Sequence, residues 1–328
     1  MNLAQALEHA NAFAFPELIY GSGLQVMDSE RQKNEEAIEL LRDAFFKGVD
    51  RDGKKAPEFP FVIVRELADR NRALCDEIGE ARLANLPGKN LERSLTDDDL
   101  CQGVAALQGR TKSSVVREIR GDRNNLASSY VAKPIKGTVL GIDIETTSRD
   151  PDRGYIVNVG WELMDMTTTA TPRDEQAFYP GIPEMYAEKG VPLERIHKIT
   201  WDMVAGHTPF REDHELQKTL LKLMQTYPYM AHNAAFEDSW FTLHLDGYAE
   251  ARKAGKIVPI DTRDICRRLD GEVATLPRES SPASLENWAR RRGTLSADAN
   301  ERHLGLDDTD LMLRTVQAEF ARKNMFAK

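Results

Sequence analysis

Two carboxylates, Asp143 and Glu145, stand two residues apart at the end of the apolar run VLGI, in the stretch Ile142-Asp-Ile-Glu-Thr-Thr147. On a strand, residues two apart project to one face, so both acids would point the same way. Two like charges side by side and poorly solvated are unfavourable unless a cation holds them. Oxygen donors suit a hard divalent cation, Mg2+ or Mn2+. Asp-x-Glu alone is common, and elsewhere it would be two solvated surface acids; its position directly after an apolar strand argues otherwise. Two more acidic groups lie far along the chain. AHNAAFED brings Glu237 and Asp238 where a strand gives way to a helix, and HLGLDD places His303 and Asp308 before the last helix.

The elements that must position these groups follow from periodicity. From Gly137 onward, GTVLGIDI and YIVNVGWELMD are rich in β-branched residues and form a hairpin across a Pro/Gly/Asp turn. QAFYP is a third strand, HELQKTLLKLMQTY a helix, YMAHN a fourth strand and IVPID a fifth. Helices follow near Asp264 to Leu269, Ala283 to Arg292 and Leu306 to Ala321. Strands first, then alternating strands and helices, predict an α/β sandwich on a mixed sheet.

Residues 1 to about 84 read as helical, with Ile38, Leu41, Ala44 and Phe45 at three- and four-residue spacing and RDGKKAPEFP as a break before Phe61. Between Leu95 and Asn125, Thr96 caps a short acidic-start helix, Gly109 turns the chain, and a basic helix opens at Ser113 or Ser114. That is the outline of a helix-turn-helix, and GRTKSSVVREIRGDRN resembles the recognition-helix region of insertion-sequence transposases. The alternative is the solvated basic face of a helical domain. VAKPIKG then reads as a linker. The expected organisation is a helical domain over residues 1–130, a linker over 131–137 and an α/β domain over 138–328.

The three acidic groups, taken in order, resemble the DEDD superfamily of 3'-5' exonucleases, and His303 five residues before Asp308 marks its histidine branch. The similarity is to the proofreading (epsilon) subunit type of DNA polymerase III. It extends over IVNVGWELMD, IHKITWDMVAGHTPF, IDTRDICRRL and SPASLENWARRRG, covering about residues 137 to 321. The resemblance implies a ribonuclease H-like mixed β-sheet flanked by helices, preceded by a smaller all-α domain. It also implies two Mg2+ or Mn2+ ions clamping an in-line phosphoryl displacement. Asp143 would bridge both ions, Glu145 and Asp308 would bind one, and the second motif would serve the other. His303 would be the general base. Five residues on an ideal helix turn through about 500°, so His303 and Asp308 converge only if the histidine belongs to the preceding loop.

The chain departs from the family at the second motif, where Glu237 stands in place of the usual aspartate and Asp238 follows. Consecutive helical residues differ by about 100°, so only one of them can face the metal. Either Glu237 reaches with its extra methylene, or the turn is shifted and Asp238 serves. Thr146 and Thr147 would flank the terminal nucleotide, or simply close the strand end. Ser148 replaces the family's usual glycine. His197 and Asn233 are further substrate-contact candidates, although His232 and Asn233 also suit a strand-to-helix turn. Phe236 and Trp240 fit core anchors better than stacking platforms.

Composition bounds the rest. The chain has 328 residues, 41% hydrophobic and 30% charged, with a net charge of −9. This is ordinary globular composition of two-domain length. The acidity excludes an avid non-specific nucleic-acid coat, but not a local basic patch. No apolar run approaches the roughly 18 to 20 residues of a bilayer span, and no leader is evident, which predicts a cytoplasmic protein without a membrane partner. Cys75, Cys101 and Cys266 have no metal-ligand spacing. The short AEFARKNMFAK end leaves little tail for a polymerase or sliding-clamp contact, so the expectation is a stand-alone repair, RNA-processing or mobile-element nuclease acting on nucleic-acid 3' ends. RNA as the substrate of the same site, and a regulatory nucleic-acid-binding protein with a decayed site, are the competing readings.

Overall fold

The computed structural model describes residues 1–12, 23–84, 137–274 and 282–326. The segment read as a helix-turn-helix, with Arg110, Lys112, Arg117, Arg120 and Arg123, residues 131–136 of the expected linker, and Cys101 lie outside the described residues. Among the described residues, no helix is long and apolar enough to cross a membrane.

Contacts divide the chain into two units. One contains the described N-terminal residues together with the loop Ser148–Gly154; the other contains the rest of the described chain. In the first unit, α1 (Leu3–Asn11), α2 (Leu24–Lys47) and α3 (Val62–Ala84) pack together. Asn2 caps α1 in a capping box with Gln5. The α2 positions Ile38, Leu41, Ala44 and Phe45 are all buried, as their spacing requires. Helix α2 ends at Gly48, whose φ of 71° is the left-handed conformation that glycine adopts without a Cβ penalty. The Ser148–Gly154 loop joins this unit through specific bonds. Asn71 Nδ2 donates to Asp152 O at 3.1 Å, Arg72 Nη1 to Pro151 O at 2.9 Å and Arg153 Nε to Glu35 Oε1 at 2.8 Å.

The second unit is a five-stranded mixed sheet with helices on both faces, ordered β3-β2-β1-β4-β5. Strands β1 (Thr138–Thr146), β2 (Ile156–Asp165) and β3 (Arg173–Phe178) form an antiparallel meander. Three single-turn helices lead to α4 (His214–Thr226). Then β4 (Tyr229–Ala231) pairs parallel with β1, α5 (Ala235–His244) and α6 (Tyr248–Lys253) follow, and β5 (Pro259–Asp261) pairs parallel with β4. The last helices are α7 (Thr262–Leu269), the single turn Gly271–Ala274, α8 (Leu285–Arg292) and α9 (Gly305–Arg322). This is the ribonuclease H-like arrangement, a mixed α/β fold preceded by helices.

The period of two along β1 assigns the faces. Leu140, Ile142 and Ile144 pack with Leu216, Leu220, Trp240, Phe241 and Tyr248. Val139 packs on the opposite side with Trp288, Met312, Leu313, Val316 and Phe320. Asp143 and Glu145 alternate with the first set and so belong to the face covered by α9. Differences from the sequence reading lie at the margins. The fourth and fifth strands are three residues each, His232 and Asn233 fall in the turn after β4, and α6 was not anticipated. Short parallel strands between helices carry too few residues to show a period.

Candidate active site

The site begins with a close approach of backbones. Gly160 on β2 lies opposite Asp143 on β1. A Cβ on Gly160 would stand 2.0 Å from Leu306 N and 2.1 Å from Gly305 C. A Cβ on Gly305 would stand 2.7 Å from Gly160 N and 2.8 Å from Asp143 O. Two facing glycines therefore let the N-terminus of α9 rest on the sheet beside Asp143. Asn158, 1% exposed, fixes the register: its Oδ1 accepts from Gly305 N at 2.7 Å and its Nδ2 donates to Phe178 O at 2.9 Å. Gly160→Ala should cost about 3 kcal/mol by overpacking and should move His303 and Asp308 off β1. Denaturation midpoint and enzymatic rate measured on the same protein check this; a stable, fully active variant would contradict the close approach.

Helix α9 opens at Gly305, so His303 lies in the loop before it, where convergence with Asp308 needs it. His303 adopts a left-handed φ of 54°, followed by extended Leu304 at φ −132°. Non-glycine residues rarely hold that conformation, and where they do the surroundings enforce it. Here α8 supplies the hold. Glu286 Oε2 accepts from Glu301 N at 2.9 Å, while Arg290 pairs with Glu286 at 2.8 Å and donates to Ala299 O at 2.7 Å. His303 Nδ1 is 3.9 Å from Asp308 Oδ2, with the imidazole 44% exposed. Glu145, His303 and Asp308 can each offer one ligand atom within 4.8 Å of the others.

Asp143 and Glu237 are not in that group; each feels the charge of Glu145. Burial pushes the Asp143 carboxyl well above its usual range, and the charges of Glu145, Glu237 and Asp308 add to it. Burial, then Asp308 and Glu301, push Glu145 up to about 8. Burial, then Glu301, push Asp308 up to about 8. Glu301 is a fifth acid that no motif signalled; its only sequence mark is a place two residues before His303. Glu237 is 2% exposed and raised by burial, then by Asp261 and Glu145. Among the described residues, its Oε2 is buried without a hydrogen-bond partner. A buried carboxylate oxygen with no donor costs free energy that a cation would offset, so the oxygen-rich set fits hard divalent metal ions.

This has a pH consequence. The folded carboxyls of Glu145 and Asp308 hold protons up to about pH 8, whereas their ordinary values are 4.5 and 3.8. Between those limits the folded state binds more protons than the unfolded chain, so stability falls as pH rises. Thermal denaturation in chelator should show that decline between about pH 4 and 8, and Mg2+ should flatten it. Stability that rises with pH in chelator would contradict the assignment.

The remaining candidates separate clearly. Asp238 is buried and its Oδ1 is taken, accepting from Tyr248 Oη at 2.6 Å and from Arg252 Nε at 3.1 Å. Tyr248 Oη in turn lies 2.8 Å from Tyr229 Oη. His232 bridges Thr262 Oγ1 at 3.0 Å and Ala283 O at 2.8 Å, and burial pushes its pKa down to about 4. Asn233, at φ 78°, donates its backbone N–H to Asp261 Oδ1 at 3.1 Å. Together they shape the turn into α5. Thr147 Oγ1 accepts from Tyr155 N at 2.9 Å, and Thr146 is buried at the strand end. His197 is 1% exposed; its Nδ1 accepts from Ile199 N at 3.0 Å, so its Nε2 carries the proton and donates to Pro192 O at 3.0 Å. Among the described residues, both ring nitrogens of His197 thus face the chain's own backbone. Phe236 and Trp240 pack in the core.

No family model matches the chain, and no curated protein does. Among solved structures the chain is similar to the zinc-bound complex of E. coli ExoI with ssDNA, at 15% identity and a TM-score of 0.44. The match covers 58% of this chain and 42% of that one, so the chain spans less than half the length of the protein it resembles.

Proposed function

We propose that residues 138–328 form a metal-dependent 3'-5' exonuclease that hydrolyses phosphodiester bonds from the 3' end of DNA, at single-stranded or frayed ends, and releases nucleoside 5'-monophosphates. The observation that carries this reading is the convergence of Glu145, His303 and Asp308, from segments far apart in sequence, on ligand atoms within 4.8 Å, with Asp143 and Glu237 bordering them. Asp143, Glu145, Glu237 and Asp308 would hold two Mg2+ or Mn2+ ions. Bound there, the ions supply Lewis-acid charge to the scissile phosphate and its leaving oxygen. His303, in a loop clipped to α8 and open to solvent, takes a proton from the attacking water as its oxygen bonds to phosphorus. The bond from phosphorus to the 3' oxygen of the preceding nucleotide breaks, and that oxygen is protonated. Asp238 holds Tyr248 and Arg252 and takes no part. Thr146 and Thr147 border the terminal nucleotide.

His303→Ala should lower the rate by about 10² to 10⁴ while sparing metal affinity, as loss of a positioned base does. Single-turnover rates with a calorimetric metal titration check this, and parallel loss of metal would make His303 a ligand instead. Labelled single-stranded DNA, duplex DNA and short RNA, each with Mg2+, Mn2+ and chelator, test the substrate class. Single-stranded DNA should be degraded fastest. A rate on RNA above that on DNA would move the assignment to an exoribonuclease, and inertness towards all three would remove it.

A further inference from the structure

Helix α7 carries Arg263, Arg267 and Arg268 within eight residues of an acidic protein. Arg268 is neutralised by Asp264 one turn earlier, at 3.2 Å. Among the described residues, Arg263 and Arg267 have no ion pair. They lie four apart, so they share one helix face with Cβ atoms about 6 Å apart. Arg263 is half-buried, its Nε is shielded from water without a hydrogen-bond partner among the described residues, and it feels the like charge of Arg267 more than the opposite charge of Asp261. Two cations held together in this way gain when an anion joins them, as the carboxylate cluster gains from cations. The start of α7 meets the turn that leads to Glu237: Thr262 Oγ1 lies 3.0 Å from His232 Nδ1, and Asp261 Oδ1 accepts from Asn233 N at 3.1 Å and from Arg263 N at 2.9 Å. Asp261, immediately before α7, acts on Glu237 itself. The cationic face thus borders the acidic site on its second-motif side.

We propose that Arg263 and Arg267 bind backbone phosphates of the single strand leading into the carboxylate site, which makes α7 the site's own basic rail. This rests on the nuclease reading for its substrate and deepens it. Guanidinium groups are the natural partners of phosphate oxygens, because their fork donates two parallel N–H bonds. Such contacts position a strand without reading its sequence.

The test is fluorescence anisotropy of the full chain with labelled oligodeoxythymidylate and oligouridylate, in calcium buffer over a salt series. Each phosphate contact contributes about 0.7 to the slope of log affinity against log salt for a single strand. Arg263→Ala/Arg267→Ala should weaken binding at least about tenfold and flatten the slope by about 1.4. Arg267→Ala alone, at an exposed position, should flatten it by about half as much, and Arg267→Lys should restore most of it. Equal effects on both oligonucleotides mean backbone recognition common to DNA and RNA; an effect on one alone names the strand the rail serves. Slopes equal to wild type in both variants, or a wild type that binds neither strand, overturn the proposal. Strand binding that follows the arginines in a protein unable to cleave with Mg2+ or Mn2+ would leave the rail standing and remove the nuclease reading.

Discussion

Replacing Asp143, Glu145 or Asp308 by alanine should remove nearly all metal-dependent cleavage while leaving the fold intact. Each carboxylate would hold charge that is worth several kcal/mol at the transition state, so the expected loss is on the order of a thousandfold or more in rate. The fold survives because none of the three is a packing residue. The same substitutions should stabilise the metal-free protein. Burial and the charges of Glu145, Glu237 and Asp308 keep Asp143 protonated well above its usual range, so folding without metal at neutral pH takes up a proton that asparagine does not require. Asp143→Asn should therefore melt higher than wild type in chelator and lose the stabilisation by Mg2+ seen in wild type. Differential scanning calorimetry with and without metal reads both effects. A variant that melts lower in chelator and remains active would show that these acids are structural.

The second large effect lies at the second motif, where neighbouring acids have opposite environments. Glu237→Gln should abolish activity, because its carboxylate is buried with Oε2 free of any donor. Asp238→Asn should retain the chemistry and instead cost about 1–3 kcal/mol, because it weakens the hold on Arg252 beside Tyr248. Glu237→Asp should keep activity or raise it, since the shorter acid restores the ligand length usual in the family that the chain resembles. Chemical denaturation alongside kcat distinguishes the two residues. If Asp238→Asn is inactive at full stability while Glu237→Gln works, the turn is functionally shifted. If both neutral variants are fully active, the site uses no carboxylate from α5.

The acids were legible in the sequence because strand alternation forces Asp143 and Glu145 onto one face, and because a histidine five residues before Asp308 cannot share its helix face. The buried α2 positions were equally plain from their spacing. What holds the site in place was not. Asn158, Gly160 and Gly305 act through contact between β2 and α9, nearly 150 residues apart, and no local period reports such a pairing. Glu301 and the clip made by Glu286 and Arg290 look in sequence like ordinary loop and helix charges. His197 matched a motif but was committed to its own loop, since a motif records neighbours along the chain and not what an imidazole touches. Asp238 and Glu237 differ by one position in sequence; it is the placement of Tyr248 and Arg252 that separates their surroundings.

Asp143, Glu145, Glu237, His303 and Asp308 are proposed to make a metal-dependent cut from the 3' end of a strand. Single-stranded DNA labelled at the 5' end in one reaction and at the 3' end in another tests it directly, with Mg2+ or chelator, and with Asp143→Ala as control. The 3' label should appear at once as a nucleoside 5'-monophosphate, the 5'-labelled strand should shorten stepwise, and chelator or Asp143→Ala should stop both. Cleavage that persists in chelator, or release of the 5' label before the 3' label, would contradict the account.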